Sequence, residues 1–370
     1  MSGFKSFTPL AQSLPASVPF VGPETSERAS GKLFSARIGA NENGFGFSPI
    51  VQKTIEEEAH LSWRYGDPES FDLKNAISAK LGVEFNQIVV GEGIDSLLGL
   101  MVRMIVEPGV PVVTSIGAYP TFNFHVTGFG GQLHAVPYKD DREDLGALLD
   151  KVRETKAPLV YFANPDNPMG TWWSSEDIVE FAKNLPATTM LILDEAYVEM
   201  APEEAVPAMT AFLDMPNVVR MRTFSKAYGL AGLRVGYVIG QKDTIAMFER
   251  VRNHFGMSRL SQKAALAAIN DDAWLEKVLG LISNSRKKIE KIAENYGFKA
   301  ILSATNFVTI DCGRDGDYAR NILKELMDRG IFVRMPGVAP LDRCIRVSVG
   351  PDEEIDRLAA ALKEVVAQIN

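Results

Sequence analysis

The sequence predicts an α/β protein: a large domain with a mainly parallel sheet sandwiched by helices, then a smaller α+β domain at the C-terminus. Short apolar runs without strict alternation recur between about residues 88 and 222, as strands buried on both faces require. Helical patterns separate those runs, the order expected of strand–helix–strand units. At 370 residues the chain also exceeds one average domain.

Residues 1–40 are mixed in composition and punctuated by Pro9, Pro15, Pro19 and Pro23, so they read as an N-terminal arm. The large domain is expected over 41–255. Within it Ile88-Val89-Val90 reads as a strand, Gly91-Glu92-Gly93 as a turn, and 94–105 as an amphipathic helix. Val112-Val113-Thr114 is a second short apolar run. Leu159-Val160-Tyr161-Phe162 leads into Asn164-Pro165-Asp166-Asn167-Pro168, where two prolines end the strand. Residues 189–193 run into Asp194, and 218–222 run toward Lys226. The small domain is expected over 256–370, with helical patterns at 262–269 and 274–296 and strand-like stretches at 306–310 and 345–349.

Composition narrows the function classes. Hydrophobic content of 46% supports a sizeable core, and the net charge of −8 with no basic block argues against a nucleic-acid partner. Cys312 and Cys344 are too few for a disulfide framework, which points to a reducing, cytoplasmic setting. No apolar run has signal-peptide or membrane-spanning length. His60, His125, His134 and His254 lack ligand spacing, so no metal is expected.

The segment Thr223-Phe224-Ser225-Lys226 through Arg234 carries the most information. It sets a lysine at the end of an apolar run, with hydroxyls before it and an arginine eight residues on. Burial lowers a lysine's pKa and frees the amine as a nucleophile, while a guanidinium and hydroxyls suit a phosphate. In an open α/β sheet, ligands sit beyond the carboxyl ends of the strands. Asn167, Asp194 with Tyr197, and Lys226 all follow such ends. A fourth strand, ending at Val90, delivers a glycine turn to a helix N-terminus, a natural anion seat.

Each feature has a plainer reading: Gly91-Glu92-Gly93 as a tight turn, Asn-Pro as turn chemistry, Asp194 as a helix cap. Their arrival at one sheet edge favours pyridoxal phosphate. That cofactor needs a carboxylate facing its ring nitrogen, for which Asp194 fits, and hydrogen-bond partners for its ring hydroxyl, for which Tyr197 and Asn167 are candidates. Its phosphate would take the Ile94 and Asp95 backbone N–H groups, the Thr223 and Ser225 hydroxyls, and Arg234. Phe122 or Tyr119 would cover the ring, with core packing as the alternative for Phe122.

Together these residues resemble the fold-type-I, pyridoxal-phosphate-dependent aminotransferases of class I and II, and most closely their histidinol-phosphate aminotransferase-like branch. The resemblance spans nearly the whole chain. It runs through Ala40-Asn41-Glu42-Asn43, Arg64-Tyr65-Gly66-Asp67-Pro68, Gly91 to Asp95, Pro120-Thr121-Phe122, Asn164 to Gly170, Asp194-Glu195-Ala196-Tyr197, Ser225 to Arg234, and Arg346 to Gly350. It implies that Lys226 bonds the cofactor and Asp194 pairs its pyridinium. It implies ping-pong amino transfer to a 2-oxo acid, in amino-acid biosynthesis. Tyr65 would reach the cofactor phosphate of a second subunit, giving a homodimer with shared sites. Arg346 would clamp the anionic end of the substrate, with Arg334, Asn41 and Phe20 as further substrate contacts.

Two departures bear on substrate. Phe20 in Val18-Pro19-Phe20-Val21-Gly22-Pro23 stands where relatives acting on histidinol phosphate tend to carry tyrosine, and Met169 stands where threonine is usual after Asn-Pro. Phe20 tilts toward an aromatic or prephenate-type substrate. A decarboxylase or lyase on the same scaffold would share every cofactor residue. A cofactor-sensing regulator is disfavoured by the acidic balance and the lack of a helix-turn-helix segment.

Overall fold

The apolar runs pair into a central sheet because their side chains are buried on both faces. In the computed structural model, residues 6–16 and 22–369 are described; Phe20 lies outside them. The strands of the first unit, after a short β1 (Ala36–Arg37), are β2 (Ile88–Gly91), β3 (Pro111–Ser115), β4 (Gln132–Val136), β5 (Leu159–Ala163), β6 (Met190–Asp194), β7 (Val218–Thr223) and β8 (Gly236–Gly240). Among the described residues, β2 to β8 form one seven-stranded sheet in the order β2-β8-β7-β6-β5-β3-β4. The pairs from β7 through β4 are parallel, whereas β8 is antiparallel to both β7 and β2. Two reversals cancel, so β2 points the same way as β7. The carboxyl ends of β2, β5, β6 and β7 therefore share one edge.

Helices cover both faces. Gly93–Ile105 and Pro120–Gly128 pack Leu97, Leu98, Phe122 and Val126 on one side, and Leu145–Thr155 with Ser175–Asn184 pack Leu148, Val152, Ile178 and Phe181 on the other. Beneath the shared edge, Glu195 and two arginines are buried together. Arg220 donates to both Glu195 oxygens at 2.6 and 3.0 Å, and Arg222 Nε donates at 2.8 Å. These charge-assisted bonds give the buried carboxylate two cationic partners and tie the ends of β6 and β7 together.

The second unit is an antiparallel sheet of β9 (Lys299–Ala300), β10 (Phe307–Asp311) and β12 (Cys344–Ser348), with β11 (Ile331–Phe332) beside it. Helices Asp272–Asn295, Gly316–Asp328 and Asp352–Ile369 bury Ile282, Ile289, Ile322, Leu358 and Leu362 against it. Packing moves the expected boundaries. The helix Arg259–Ile269 sets Ala264, Ala265 and Ala268 against Val51, Leu73 and Ile77, so it belongs to the first unit rather than to the small domain expected from 256. Its face of small side chains lets two helices approach closely. Conversely, β1 pairs with β11, and Ala36 and Ile38 join the second core, so the end of the expected arm is part of that unit.

Candidate active site

A cavity of roughly 660 Å³ opens between the shared sheet edge and the second unit, within the usual range for a small-molecule site. The N-terminus of the helix Gly93–Ile105 faces it, with Ile94 and Asp95 in the lining. Gly93 adopts φ +81°, and a Cβ there would meet Arg234 Nη2 at 2.6 Å; a Cβ on Gly236 would meet Ile94 N at 2.9 Å. Only glycines allow the helix end and the guanidinium to converge. Arg234 Nη1 donates to Ser225 Oγ at 3.3 Å, and Ser225 N donates to Thr223 Oγ1 at 3.0 Å. Backbone N–H groups, hydroxyls and one guanidinium thus surround a seat for a phosphate.

Lys226 follows β7, and its Nζ donates to the Asn41 carbonyl at 2.9 Å. Burial, reinforced by the Arg346 charge and partly opposed by Asp95, pushes the Lys226 amine down to about 8. The lysine must be neutral to attack a carbonyl, so its free fraction rises through that pH and not through the ordinary lysine range. Cofactor-free protein is expected to capture pyridoxal phosphate at a rate that climbs around pH 8 and levels off above it, read by stopped-flow absorbance. A climb centred near 10.5 would contradict this reading of Lys226.

Asn41 holds φ +55°, an unusual conformation for a side chain other than glycine. Ser348 over-determines it: Asn41 N donates to Ser348 Oγ at 2.9 Å, and Ser348 Oγ donates to Asn41 Oδ1 at 3.1 Å. Asn41 Nδ2 in turn donates to Tyr197 Oη at 3.1 Å. Burial pushes the Tyr197 hydroxyl up to about 12, so it stays protonated and able to donate.

Asp194 ends β6. Its Oδ2 accepts from Tyr161 Oη at 2.7 Å and its Oδ1 from Ala196 N at 3.0 Å. Burial pushes this carboxyl up to about 6 despite those bonds, the state of a carboxylate that lacks a cation. Across the cavity, Arg346 Nη1 donates to Asn167 Oδ1 at 2.6 Å, while its buried Nε has no partner among the described residues. Burial lowers the Arg346 guanidinium to about 10, and neighbouring Arg334 adds to the effect. Arg334 lines the same wall and is bonded to Arg346 through the backbone. These features fit pyridoxal phosphate: a phosphate seat, a neutralisable amine, a buried carboxylate seeking a cation, and two arginines for a second anion.

The cavity therefore gathers Ile94, Asp95, Asn167, Asp194, Tyr197, Thr223, Ser225, Lys226, Arg234, Arg334, Arg346 and Asn41, as the sequence suggested. Phe122 is a correction. It is fully buried and stacked on Tyr161 with centroids 4.7 Å apart, because its helix turns that position toward the sheet. Tyr119, one turn earlier, lines the cavity and donates to Asp95 Oδ1 at 2.7 Å. Tyr65 stays outside the cavity, 81% exposed and packed on Phe255. Met169 is wholly buried among Ile301, Leu341 and Cys344, so its departure from threonine falls in the core.

Sequence reasoning missed Tyr161. The register places Ala163 opposite Asp194, so Tyr161, two residues back, shares that face. A hydroxyl inside an otherwise apolar strand run was the available signal. Among the described residues, no group of three or more His, Cys, Asp or Glu is placed to hold a metal, and no helix is long and apolar enough to cross a membrane.

The profile of the family described as aminotransferase class I and II matches residues 37–362. Histidinol-phosphate aminotransferase 2 of Pseudomonas fluorescens is 34% identical over 333 residues, covering 90% of this chain and 89% of its own length. Histidinol-phosphate aminotransferase 1 of Nitrosococcus oceani is 35% identical, covering 93% of this chain and 92% of its own. A crystal structure of histidinol-phosphate aminotransferase from Sinorhizobium meliloti, in complex with pyridoxal-5'-phosphate, is 56% identical. It superposes with a TM-score of 0.97 over 100% of both chains.

Proposed function

The chain belongs to the class I and II aminotransferases, and on that premise we propose that it moves an amino group from histidinol phosphate to a 2-oxo acid with pyridoxal phosphate as cofactor. The observation that carries this reading is the convergence of the Lys226 amine with Asp194, Arg234 and Arg346 in one cavity. The 56% identical relative with that cofactor bound supports it.

When bound, pyridoxal phosphate supplies an electron sink for the negative charge that develops at the donor's α carbon. Lys226 tethers the cofactor through its neutral amine. The same Nζ, when free, would take the proton from the α carbon as general base. Asp194 holds the proton on the ring nitrogen, the cation its burial calls for. Tyr197 and Asn167 donate to the ring hydroxyl. The helix N-terminus at Ile94 and Asp95, with Thr223, Ser225 and Arg234, anchors the cofactor phosphate. Tyr119, which lines the cavity, would cover the ring. Arg346 and Arg334 hold the anionic end of the substrate, assisted by Asn41. Tyr65, exposed on this chain, reaches the phosphate of a second copy in a homodimer of a cytoplasmic enzyme.

The test is a half-reaction. Purified holoenzyme is mixed, without acceptor, with histidinol phosphate, glutamate or phenylalanine, and bleaching of the protein-bound cofactor is followed by absorbance. Fast bleaching by histidinol phosphate and glutamate is expected. Fast bleaching by phenylalanine alone, or release of carbon dioxide with any donor, would overturn the assignment.

A further inference from the structure

We propose that Glu42 is a specificity-determining residue that binds the imidazole ring of the donor, an inference that rests on the histidinol phosphate reading above. Four cations line the cavity: Lys226, Arg234, Arg334 and Arg346. Those charges suit phosphates and carboxylates and do nothing for a weakly basic ring. Three carboxylates balance them. Asp194 is engaged by Tyr161 and Ala196, and Asp95 takes the Tyr119 hydroxyl at 2.7 Å with Arg234 at 3.8 Å. Glu42 differs from both: among the described residues its carboxylate has no hydrogen bond and no ion pair, and its side chain is exposed at the cavity.

Its backbone is nevertheless fixed. Asn306 Nδ2 donates to the Asn41 carbonyl at 2.9 Å and to the Glu42 carbonyl at 3.2 Å. The preceding Asn41 is locked in its left-handed conformation by Ser348 and Tyr197. Glu42 directly follows Asn41, whose carbonyl accepts from Lys226 Nζ at 2.9 Å, and it lines the same cavity as Arg334. The carboxylate therefore shares the cavity with the reacting amine and the arginine wall, within reach of the side chain of a donor held at both ends. An imidazole N–H offered there finds a charged acceptor, and an imidazolium finds a counter-ion. A phenyl ring finds neither, and must leave the carboxylate to water or desolvate it unpaired.

The experiment compares histidinol phosphate with phenylalaninol phosphate, which keeps the amine and phosphate and replaces imidazole by phenyl. Half-reaction kcat/KM is measured for wild type, Glu42→Gln and Glu42→Asp holoenzyme. Removing a charged hydrogen-bond acceptor should cut the imidazole-over-phenyl preference by about ten- to a hundredfold in Glu42→Gln. Glu42→Asp should recover part of that preference, and the wild-type preference should strengthen as the ring protonates below about pH 6.5. Equal losses for both donors would assign Glu42 to the common amine or to structure and overturn the proposal. An unchanged ratio would also overturn it. A wild-type enzyme that bleaches with glutamate but with neither phosphate ester would refute the substrate reading itself, a separate result.

Discussion

Lys226→Ala is expected to reduce amino-transfer turnover by at least about 10⁴-fold, because one side chain supplies two functions that no neighbour can take over. Among the described residues, Lys226 is the lysine that lines the cavity. The other cations there are guanidinium groups, which stay protonated and cannot accept a proton from carbon. The variant should still fold, since Nζ makes a single hydrogen bond, to the Asn41 carbonyl. It should still bind pyridoxal phosphate through the anion seat, but without the absorbance of a covalently tethered cofactor. Steady-state transfer from glutamate, the absorbance spectrum and a thermal melt together check the expectation. Turnover within tenfold of wild type, in a correctly melting variant, would remove Lys226 from the centre of the chemistry.

The site was legible in the sequence wherever a strand end and a chemically demanding side chain coincide. Asn167, Asp194 and Lys226 follow β5, β6 and β7, and a parallel sheet sends all such ends to one edge. The convergence of Gly91-Glu92-Gly93 needed more: β2 reaches the same edge only because β8 runs antiparallel to both its neighbours. The periodicity of a short strand does not encode its direction. Phe122 was unreadable for a related reason. Tyr119 and Phe122 are nearly one helical turn apart, and which of them faces the cavity depends on how the helix Pro120–Gly128 is rotated against the sheet. Tyr161 was hidden because a lone hydroxyl in an apolar run looks like ordinary strand composition until register sets it beside Asp194.

The boundary of the second unit was misplaced because local pattern cannot say which neighbour a helix chooses. The helix Arg259–Ile269 reads as helical from sequence alone. Its alanine face packs with Val51, Leu73 and Ile77, residues far earlier in the chain whose proximity the local pattern does not carry. Likewise β1 is only two residues long, too short to announce that it pairs with β11, about 295 residues away. Elements that owe their place to long-range contacts are those a single sequence conveys least.

Asp194→Asn separates catalysis from stability, and the two should move in opposite directions. In the cofactor-free protein the folded carboxyl sits at about 6, above its ordinary 3.8, chiefly through desolvation. A raised carboxyl contributes its full stability below the unfolded value and loses it as pH rises through the folded value. Above about pH 6 the cofactor-free protein therefore carries a buried charge that costs on the order of 3 kcal/mol. Asparagine keeps the shape, with its Oδ1 accepting from Ala196 N and its Nδ2 donating to the Tyr161 hydroxyl, but removes that charge. The cofactor-free variant should melt at or above the wild-type temperature at pH 8, and the advantage should vanish below about pH 4. With the cofactor present the balance reverses, because the ring nitrogen loses the anion that keeps it protonated. Breaking a buried charge pair costs about 3–5 kcal/mol, which corresponds to roughly 10²- to 10⁴-fold in kcat/KM. Melting curves of both forms at pH 4 and pH 8, beside half-reaction rates with glutamate, test both arms. Loss of stability in the cofactor-free variant at pH 8 would show that Asp194 is a structural cap, and full activity would show that the ring nitrogen does not depend on it.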